Sequence, residues 1–199
     1  MLTEQEIEDK IREFKKDLSM HSPSQIVRKR IIFGECAILS NSQYLDLRIE
    51  VANQFDIHPN NVLVVGSAKL GFSTAPHKRY KPFNDESDID VVIVSEILFN
   101  KFWYQSFLYW KAGSFWDRQE KFKRYLFQGW IRPDYLPPSR RFVLGNEWWE
   151  YFRKLTSSGK YGYYKIAGAI YKDWNYIEYY QISAIDSCAQ ELLEVVHEN

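Results

Sequence analysis

Two aspartates separated by one residue stand at the start of an apolar run. The sequence reads Ser87-Asp88-Ile89-Asp90 and continues with the four aliphatic residues 91–94. Because side chains alternate along a β-strand, Asp88 and Asp90 should share one face and Ile89 the other. Two carboxylates this close repel each other, and a divalent cation that prefers oxygen ligands relieves the repulsion. The spacing therefore predicts a site for Mg²⁺ or Mn²⁺ at the beginning of a strand.

A second apolar run ends in a residue pair suited to phosphate. Residues 62–65 are aliphatic, and Gly66-Ser67 follows them directly. Both runs are β-branched and too short for helices, so we expect two buried strands. Glycine lets the backbone approach a ligand closely, and amide groups at the start of a helical turn can bind phosphate oxygens. A phosphate-binding turn facing a carboxylate pair is typical of a nucleoside triphosphate site.

The segment between the two motifs is basic. Its centre is His77-Lys78-Arg79-Tyr80-Lys81, within the loop of residues 72–86. A triphosphate needs positive charge as well as a metal ion, so Lys78 and Arg79 are candidate nucleotide-binding residues, and Lys69, just after Ser67, is another. The alternative for the loop is a solvent-exposed basic tip.

Taken together, these motifs resemble the signature of the DNA polymerase β-type nucleotidyltransferase superfamily. The matching residues are Gly66-Ser67, Leu70-Gly71 and Asp88-Ile89-Asp90. The resemblance is limited to the stretch 62–94, and the interval between Ser67 and Asp88 is longer than the family's common spacing. It implies transfer of a nucleoside monophosphate from a nucleoside triphosphate to an acceptor hydroxyl, with release of pyrophosphate.

The same resemblance implies a role for each motif residue. Asp88 and Asp90 would hold Mg²⁺ or Mn²⁺ on the triphosphate, and Gly66 and Ser67 would bind its β/γ end. The superfamily adds a third carboxylate, on a strand beside the metal pair, that completes a second metal site.

Two residues compete for the position of the third carboxylate. Residues 125–131 predict a third strand, and Asp134 follows it after Arg132 and Pro133. Asp134 is the candidate for catalysis and metal binding, although an aspartate at this place could simply form a turn. Asp173, at the end of a fourth predicted strand over 164–171, is the rival.

Composition restricts the class of protein. The chain has 199 residues, 45% of them hydrophobic, with 26 basic and 26 acidic side chains and a formal net charge of +0. This balance does not favour a protein that binds long nucleic acid mainly through phosphates. No apolar run is long enough to span a membrane and the N-terminus is acidic, so we expect a cytoplasmic protein without a membrane partner.

The periodicity of the chain predicts an α/β (α+β) fold with a small mixed β-sheet and flanking helices. We expect one nucleotidyltransferase-like domain over 1–199, made of a helical N-terminal segment (1–60), a catalytic core (61–135) and a C-terminal helix–strand–helix segment (140–199). An aromatic-rich helical segment from about 96 to 122 breaks near Gly113, and its aromatic stripe is interpreted as core.

Three functional hypotheses follow. The first is an active nucleotidyltransferase, with a nucleoside triphosphate as substrate and an RNA end, a protein, a small molecule or a second nucleotide as acceptor; by analogy, small stand-alone members act in toxin–antitoxin or phage-defence systems. The second is a catalytically inactive module that uses the fold to bind nucleotide, RNA or a partner protein. The third is an enzyme that works only with a protein partner docked on its aromatic surfaces.

Overall fold

The computed structural model describes residues 2–197, and the side chains of residues 2–194. The described chain is mixed α+β, as the sequence predicts. The helices are α1 (Glu4–Met20), α2 (Pro23–Ile26), α3 (Asn41–Phe55), α4 (Gly66–Leu70), α5 (Glu96–Lys111), α6 (Gln119–Phe127), α7 (Val143–Ser157) and α8 (Trp174–His197). The strands are β1 (Val62–Val65), β2 (Ile89–Val94), β3 (Trp130–Ile131) and β4 (Ile166–Tyr171).

The four strands form one mixed sheet in the order β1-β2-β4-β3. β1 and β2 are antiparallel, β2 and β4 are parallel, and β3 is antiparallel to β4. The long connection from β2 to β4 contains α5, α6 and α7, as a parallel pair requires a crossover. The central pair therefore consists of β2, which carries the aspartates, and β4.

Helices cover both faces of the sheet. Alternate residues of β1 and β2 face one apolar cluster that includes residues of α3, α5, α6 and α7. The intervening residues face a second cluster built from α1, α2 and α8. Because both faces are buried, β1 and the end of β2 read as continuous aliphatic runs.

Local signals place the N-terminal helices. Thr3, Ser22 and Ser40 each cap a helix, and each forms a capping box with the residue three positions later. α2 continues as a π-helix over Val27–Ile32. These helices form the wall behind β1 and α4.

The prediction of a strand over 125–131 is wrong for most of that stretch. α6 extends to Phe127, and only Trp130 and Ile131 pair with β4. Gly129 separates the two elements with φ +66°, a conformation that ends a helix without steric cost in glycine. The bulky residues before it belong to an amphipathic helix with Phe122 buried, so the apolar content misled the prediction of the strand.

The aromatic stripe after β2 is only partly core. The predicted break near Gly113 is confirmed, since α5 ends at Lys111 and α6 begins at Gln119. Phe99 and Phe102 are buried, whereas other aromatic residues of α5 are 43–63% exposed, namely Trp103, Tyr104, Phe107 and Trp110. Aromatic residues occur around most of the helix, and only one face of it packs on the sheet.

Candidate functional site

The pairing of β1 with β2 brings the two halves of the motif together. Val65, the last residue of β1, lies opposite Asp90 in the register, and Gly66 follows it. Gly66 has φ +66°, and a Cβ atom built on it would lie 3.3 Å from Oδ2 of Asp90. The backbone of the turn therefore approaches the carboxylate more closely than a residue with a side chain ordinarily does.

Ser67 lies in the first turn of α4, beside this contact. Val65 occupies the N-cap position of α4, and no side chain of the described residues caps the helix. The first amide groups of a helix have no partner within it, so they remain available to an oxygen ligand. Ser67 is half-buried.

Asp88 and Asp90 lie at the beginning of β2, next to the start of β4. Oδ2 of Asp88 accepts a hydrogen bond from Nζ of Lys165 at 2.8 Å. Asp90 keeps an exposed surface, yet the protein packed around its carboxylate removes hydration from it. This desolvation and then the charge of Asp88 raise the pKa of Asp90 to about 6, against the opposing effect of the cations Lys165 and Arg132.

Small residues of β4 form the surface beside Asp90. Ala167 pairs with Asp90 in the parallel register, and Ala169 lies further along the same face of the strand. Gly168 points to the opposite face, where a Cβ atom would collide with Phe152 and Trp148. Ala167 and Ala169 are only partly buried, so this part of the sheet is open above two methyl groups.

Arg132 and aromatic rings stand on the far side of this open strip. Arg132 follows β3, the neighbour of β4, and its guanidinium lies 4.9–5.6 Å from the ring centroids of Tyr125, Trp130 and Tyr135. Trp130 also contacts Tyr180 of α8, with 4.6 Å between ring centroids. The carboxylates on β2 thus lie across β4 from a cation and aromatic rings, two strand spacings or roughly 10 Å away in the direction across the sheet.

Asp134 does not join the carboxylate pair. Both of its carboxylate oxygens accept hydrogen bonds from Arg132 at 3.2 Å, within the turn after β3. Within residues 2–197, no group of three or more His, Cys, Asp or Glu side chains is arranged to hold a metal ion. Asp134 as a third metal ligand therefore stays a prediction that requires its release from Arg132.

Asp173 lies at the other end of the sheet. It follows the last residue of β4, which pairs with Val94 at the end of β2, whereas Asp88 and Asp90 are at the beginning of β2. Its Oδ1 accepts the backbone N–H of Asn175 at 2.8 Å at the start of α8. The parallel register separates it from Asp90 by about 20 Å along the strand.

Lys69 points away from the carboxylates. The side chain is 2% exposed, and its ammonium donates to the carbonyl of Gly34 and to the hydroxyl of Tyr44. It also lies 4.6 Å from the Tyr44 ring centroid. Burial lowers the pKa of Lys69 to about 8. In this arrangement Lys69 ties α4 to the segment after the π-helix and to α3.

The two basic candidates of the 72–86 loop have different surroundings. Lys78 is exposed. Arg79 is 7% exposed at its side chain, pairs with Glu191 at 2.9 Å, and donates to Oγ of Ser187 at 3.0 Å and to Sγ of Cys188 at 2.6 Å. Arg79 thus anchors the loop to α8, and only Lys78 of the two is free to meet a ligand.

Two cations near the carboxylates were not identified from the sequence. Lys165 precedes β4 by one residue, and its ion pair with Asp88 depends on the register of two strands 77 positions apart. In the sequence, Arg132 was noted only as a residue that precedes Asp134, without a role in the site. No local motif marks either residue, because each acquires its place through the crossover from β2 to β4.

The donor set fits one divalent cation. Asp88 and Asp90 supply hard oxygen ligands from one face of β2. The pKa of Asp90 is raised by desolvation and by the charge of Asp88, and a bound cation would offset both effects. The ion pair with Lys165 involves an exposed ammonium, and such pairs contribute about 1 kcal/mol at most, so a metal ion could displace it. A cavity of about 650 Å³ between α1, the π-helix and α4 does not include these carboxylates, which lie on the open surface.

Comparisons of the chain with protein-family models, curated proteins and solved structures give no significant match. In the part of the chain that the structure describes, no helix has the length and apolar character needed to cross a membrane.

Proposed function

We propose that this chain binds a nucleoside triphosphate with Mg²⁺ or Mn²⁺ and transfers the nucleoside monophosphate to an acceptor hydroxyl. The observation that carries the proposal is the contact between Gly66 and Asp90. Two motifs that are separate in the sequence meet on adjacent strands, where a Cβ atom built on Gly66 would lie 3.3 Å from Oδ2 of Asp90. A phosphate-binding turn beside a carboxylate pair is the arrangement that metal-assisted phosphoryl transfer needs.

Each element of the site has a role in this reaction. The turn at Gly66 and Ser67 binds phosphate oxygens, and Asp88 and Asp90 hold the cation, which would neutralise charge developing on the phosphates. Arg132 and the exposed Lys165 supply further positive charge near the open strip of β4, and the exposed Lys78 is the candidate that the 72–86 loop contributes. The adjoining aromatic rings provide surfaces on which a base can stack.

The proposed reaction is a substitution at the α-phosphorus of the nucleoside triphosphate. The acceptor oxygen forms a bond to the α-phosphorus, the bond from that phosphorus to the bridging oxygen breaks, and pyrophosphate leaves. The hydroxyl proton passes to a general base, for which Asp134 is the candidate once it separates from Arg132. The acceptor is an RNA end, a protein, a small molecule or a second nucleotide, and a docked protein partner is compatible with all four. By analogy with small stand-alone nucleotidyltransferases, the biological setting would be a toxin–antitoxin or phage-defence system.

A transfer assay tests this proposal. The purified protein is incubated with each labelled nucleoside triphosphate, Mg²⁺ or Mn²⁺, and cellular RNA or lysate, and label transfer and pyrophosphate are measured. We expect Asp88→Ala to reduce transfer at least about a hundredfold, since it removes a group that stabilises transition-state charge. Asp117→Ala is the matched control, because Asp117 is exposed in the connection between α5 and α6. Equal activity in wild type and Asp88→Ala would refute the assignment.

The arrangement around Asp134 favours a second candidate, a nucleotide-binding module without catalysis. The strand next to β2 carries Lys165 and Ala167 beside the two aspartates instead of an acidic residue. If Asp134 stays paired with Arg132, the protein would bind metal and nucleotide and release no pyrophosphate. Metal-dependent nucleotide binding without turnover under any acceptor condition would support this candidate over the enzyme.

A further inference from the structure

The outer face of α5 is an apolar surface that no described part of the chain covers. We call it the α5 face, and it consists of Trp103, Tyr104, Phe107, Leu108 and Trp110, which are 43–63% exposed. The Phe107 ring lies 6.4 Å from that of Tyr104 and 6.0 Å from that of Trp110, so the surface is continuous. The largest apolar patch on a typical soluble monomer covers about 300–600 Å² and is often an interaction site.

The spacing of the α5 face suits a helix partner. Trp103, Phe107 and Trp110 follow one another at intervals of four and three residues, which is the repeat that lines one side of a helix. Tyr104 and Leu108 widen this stripe on one side. Two exposed lysines, Lys101 and Lys111, border the α5 face one turn from Tyr104 and Phe107. Their stems can cover apolar surface while the ammonium groups stay in water, so a second apolar helix can pack along the face without burying an unpaired charge.

We infer that the α5 face pairs with the α5 face of a second copy, forming a twofold-symmetric dimer of antiparallel helices. With the symmetry axis near Phe107, this side chain meets its own counterpart, and Tyr104 of each copy lies beside Trp110 of the other. The same arrangement sets Lys111 of each copy beside Trp103 of the other, where the ammonium can lie over the indole ring.

The available area reaches the lower limit of specific interfaces. An aromatic side chain has about 150–250 Å² to bury, so at about half exposure each of the four rings offers roughly 100 Å². With Leu108, each copy contributes roughly 500 Å², and two copies bury about 1,000 Å² before flanking residues are added, which is the size at which specific interfaces begin. The formal net charge of +0 means that two copies do not repel each other at long range.

Mass measurement by light scattering during size exclusion tests the dimer without any assay of activity. We expect the wild type to have twice the 23.8 kDa of one chain, and Phe107→Glu to run as a monomer with an unchanged circular dichroism spectrum. Phe127→Glu is the matched control, because Phe127 is 91% exposed on α6, outside the α5 face, and should leave the dimer intact. A wild type that stays monomeric up to high micromolar concentration would overturn the inference.

Disulfide cross-linking tests where the twofold axis of the dimer lies. Cys36 and Cys188 are free and buried, so a new exposed cysteine dominates the thiol chemistry. Under mild oxidation Phe107→Cys should form a covalent dimer across the axis, and Phe127→Cys should not. A dimer that Phe107→Glu leaves intact, or in which only Phe127→Cys cross-links, would show that the copies associate through another surface.

Discussion

At the scale of single residues, Gly66 combines two requirements in one position. Its φ of +66° lies in the left-handed region, and its Cα hydrogens face Oδ2 of Asp90. Any side chain would both strain the backbone and push on the carboxylate. A serine, alanine or asparagine at this position would therefore alter the site even if the fold tolerated the backbone strain.

We predict that Gly66→Ala lowers the free energy of unfolding and abolishes metal-dependent nucleotide binding. The left-handed backbone costs an alanine about 1–2 kcal/mol, and the new Cβ atom would displace Asp90. Gly159→Ala is the control, since Gly159 has φ +67° and nothing within 4 Å of the added Cβ atom. Urea denaturation should show similar losses for both variants, whereas calorimetry should show lost binding only for Gly66→Ala. Equal binding by the two variants would separate Gly66 from the site.

Lys69 gives a prediction for the pH dependence of stability. Burial lowers its pKa from 10.5 to about 8, so between these values the unfolded chain holds the proton and the folded chain does not. The free energy of unfolding contributed by this residue therefore rises as the pH increases from about 8 towards 10, by about 3 kcal/mol at most. Below about 8 both states are protonated and the contribution is constant.

Lys69→Met should remove this rise. Urea denaturation of both proteins at several pH values between 7 and 10 measures the difference. Cys36 and Tyr44, whose pKa values burial raises, are present in both proteins, so the comparison measures Lys69 together with its effect on these two neighbours. An identical pH slope in the two proteins would mean that Lys69 is not buried as a charged group.

At the scale of elements, the 72–86 loop is attached to α8. Arg79 binds Glu191, Ser187 and Cys188, more than 100 positions away in the sequence. Tyr80 adds a second attachment by packing near Phe14 and Phe72, with ring centroids at 6.4 Å and 6.0 Å. The loop therefore has a fixed base, from which the exposed Lys78 projects.

We predict that Arg79→Met lowers the free energy of unfolding by about 2 kcal/mol, because it removes hydrogen bonds from a charged group and leaves the buried Sγ of Cys188 without its donor. Lys78→Met should leave stability nearly unchanged and weaken nucleotide binding instead. Denaturation and calorimetry on the two variants distinguish an anchor from a ligand-binding residue. The reverse pattern would place Arg79, and not Lys78, at the triphosphate.

The elements that short stretches of sequence specify by themselves were predicted correctly. The two aliphatic strands and the break near Gly113 were both visible in the sequence. The bounds of the third strand were not visible, because the bulky residues before Gly129 are compatible with a helix as well as a strand. In the structure they belong to α6. The partners of Arg79 and of Asp88 were also beyond reach, since they come from distant segments.

At the scale of the whole molecule, the sheet order decides what surrounds the aspartates. β4 inserts between β2 and β3, and its residues Ala167 and Ala169 keep the sheet surface open between Asp90 and Arg132. The sequence predicted a mixed sheet with flanking helices, and it predicted a turn at Gly66-Ser67 that faces the carboxylate pair. The order of the strands depends on the crossover through α5, α6 and α7, which no local pattern specifies.

Metal-dependent nucleotide binding by the wild type and by Asp90→Asn tests the central claim most directly. Asparagine keeps the size of the side chain and removes its negative charge, so the fold and the contact with Gly66 should persist. We predict that the wild type binds a non-hydrolysable nucleoside triphosphate only when Mg²⁺ or Mn²⁺ is present, and that Asp90→Asn loses this binding in calorimetry. Binding that needs no metal, or that survives unchanged in Asp90→Asn, would contradict a metal–nucleotide site at the start of β2.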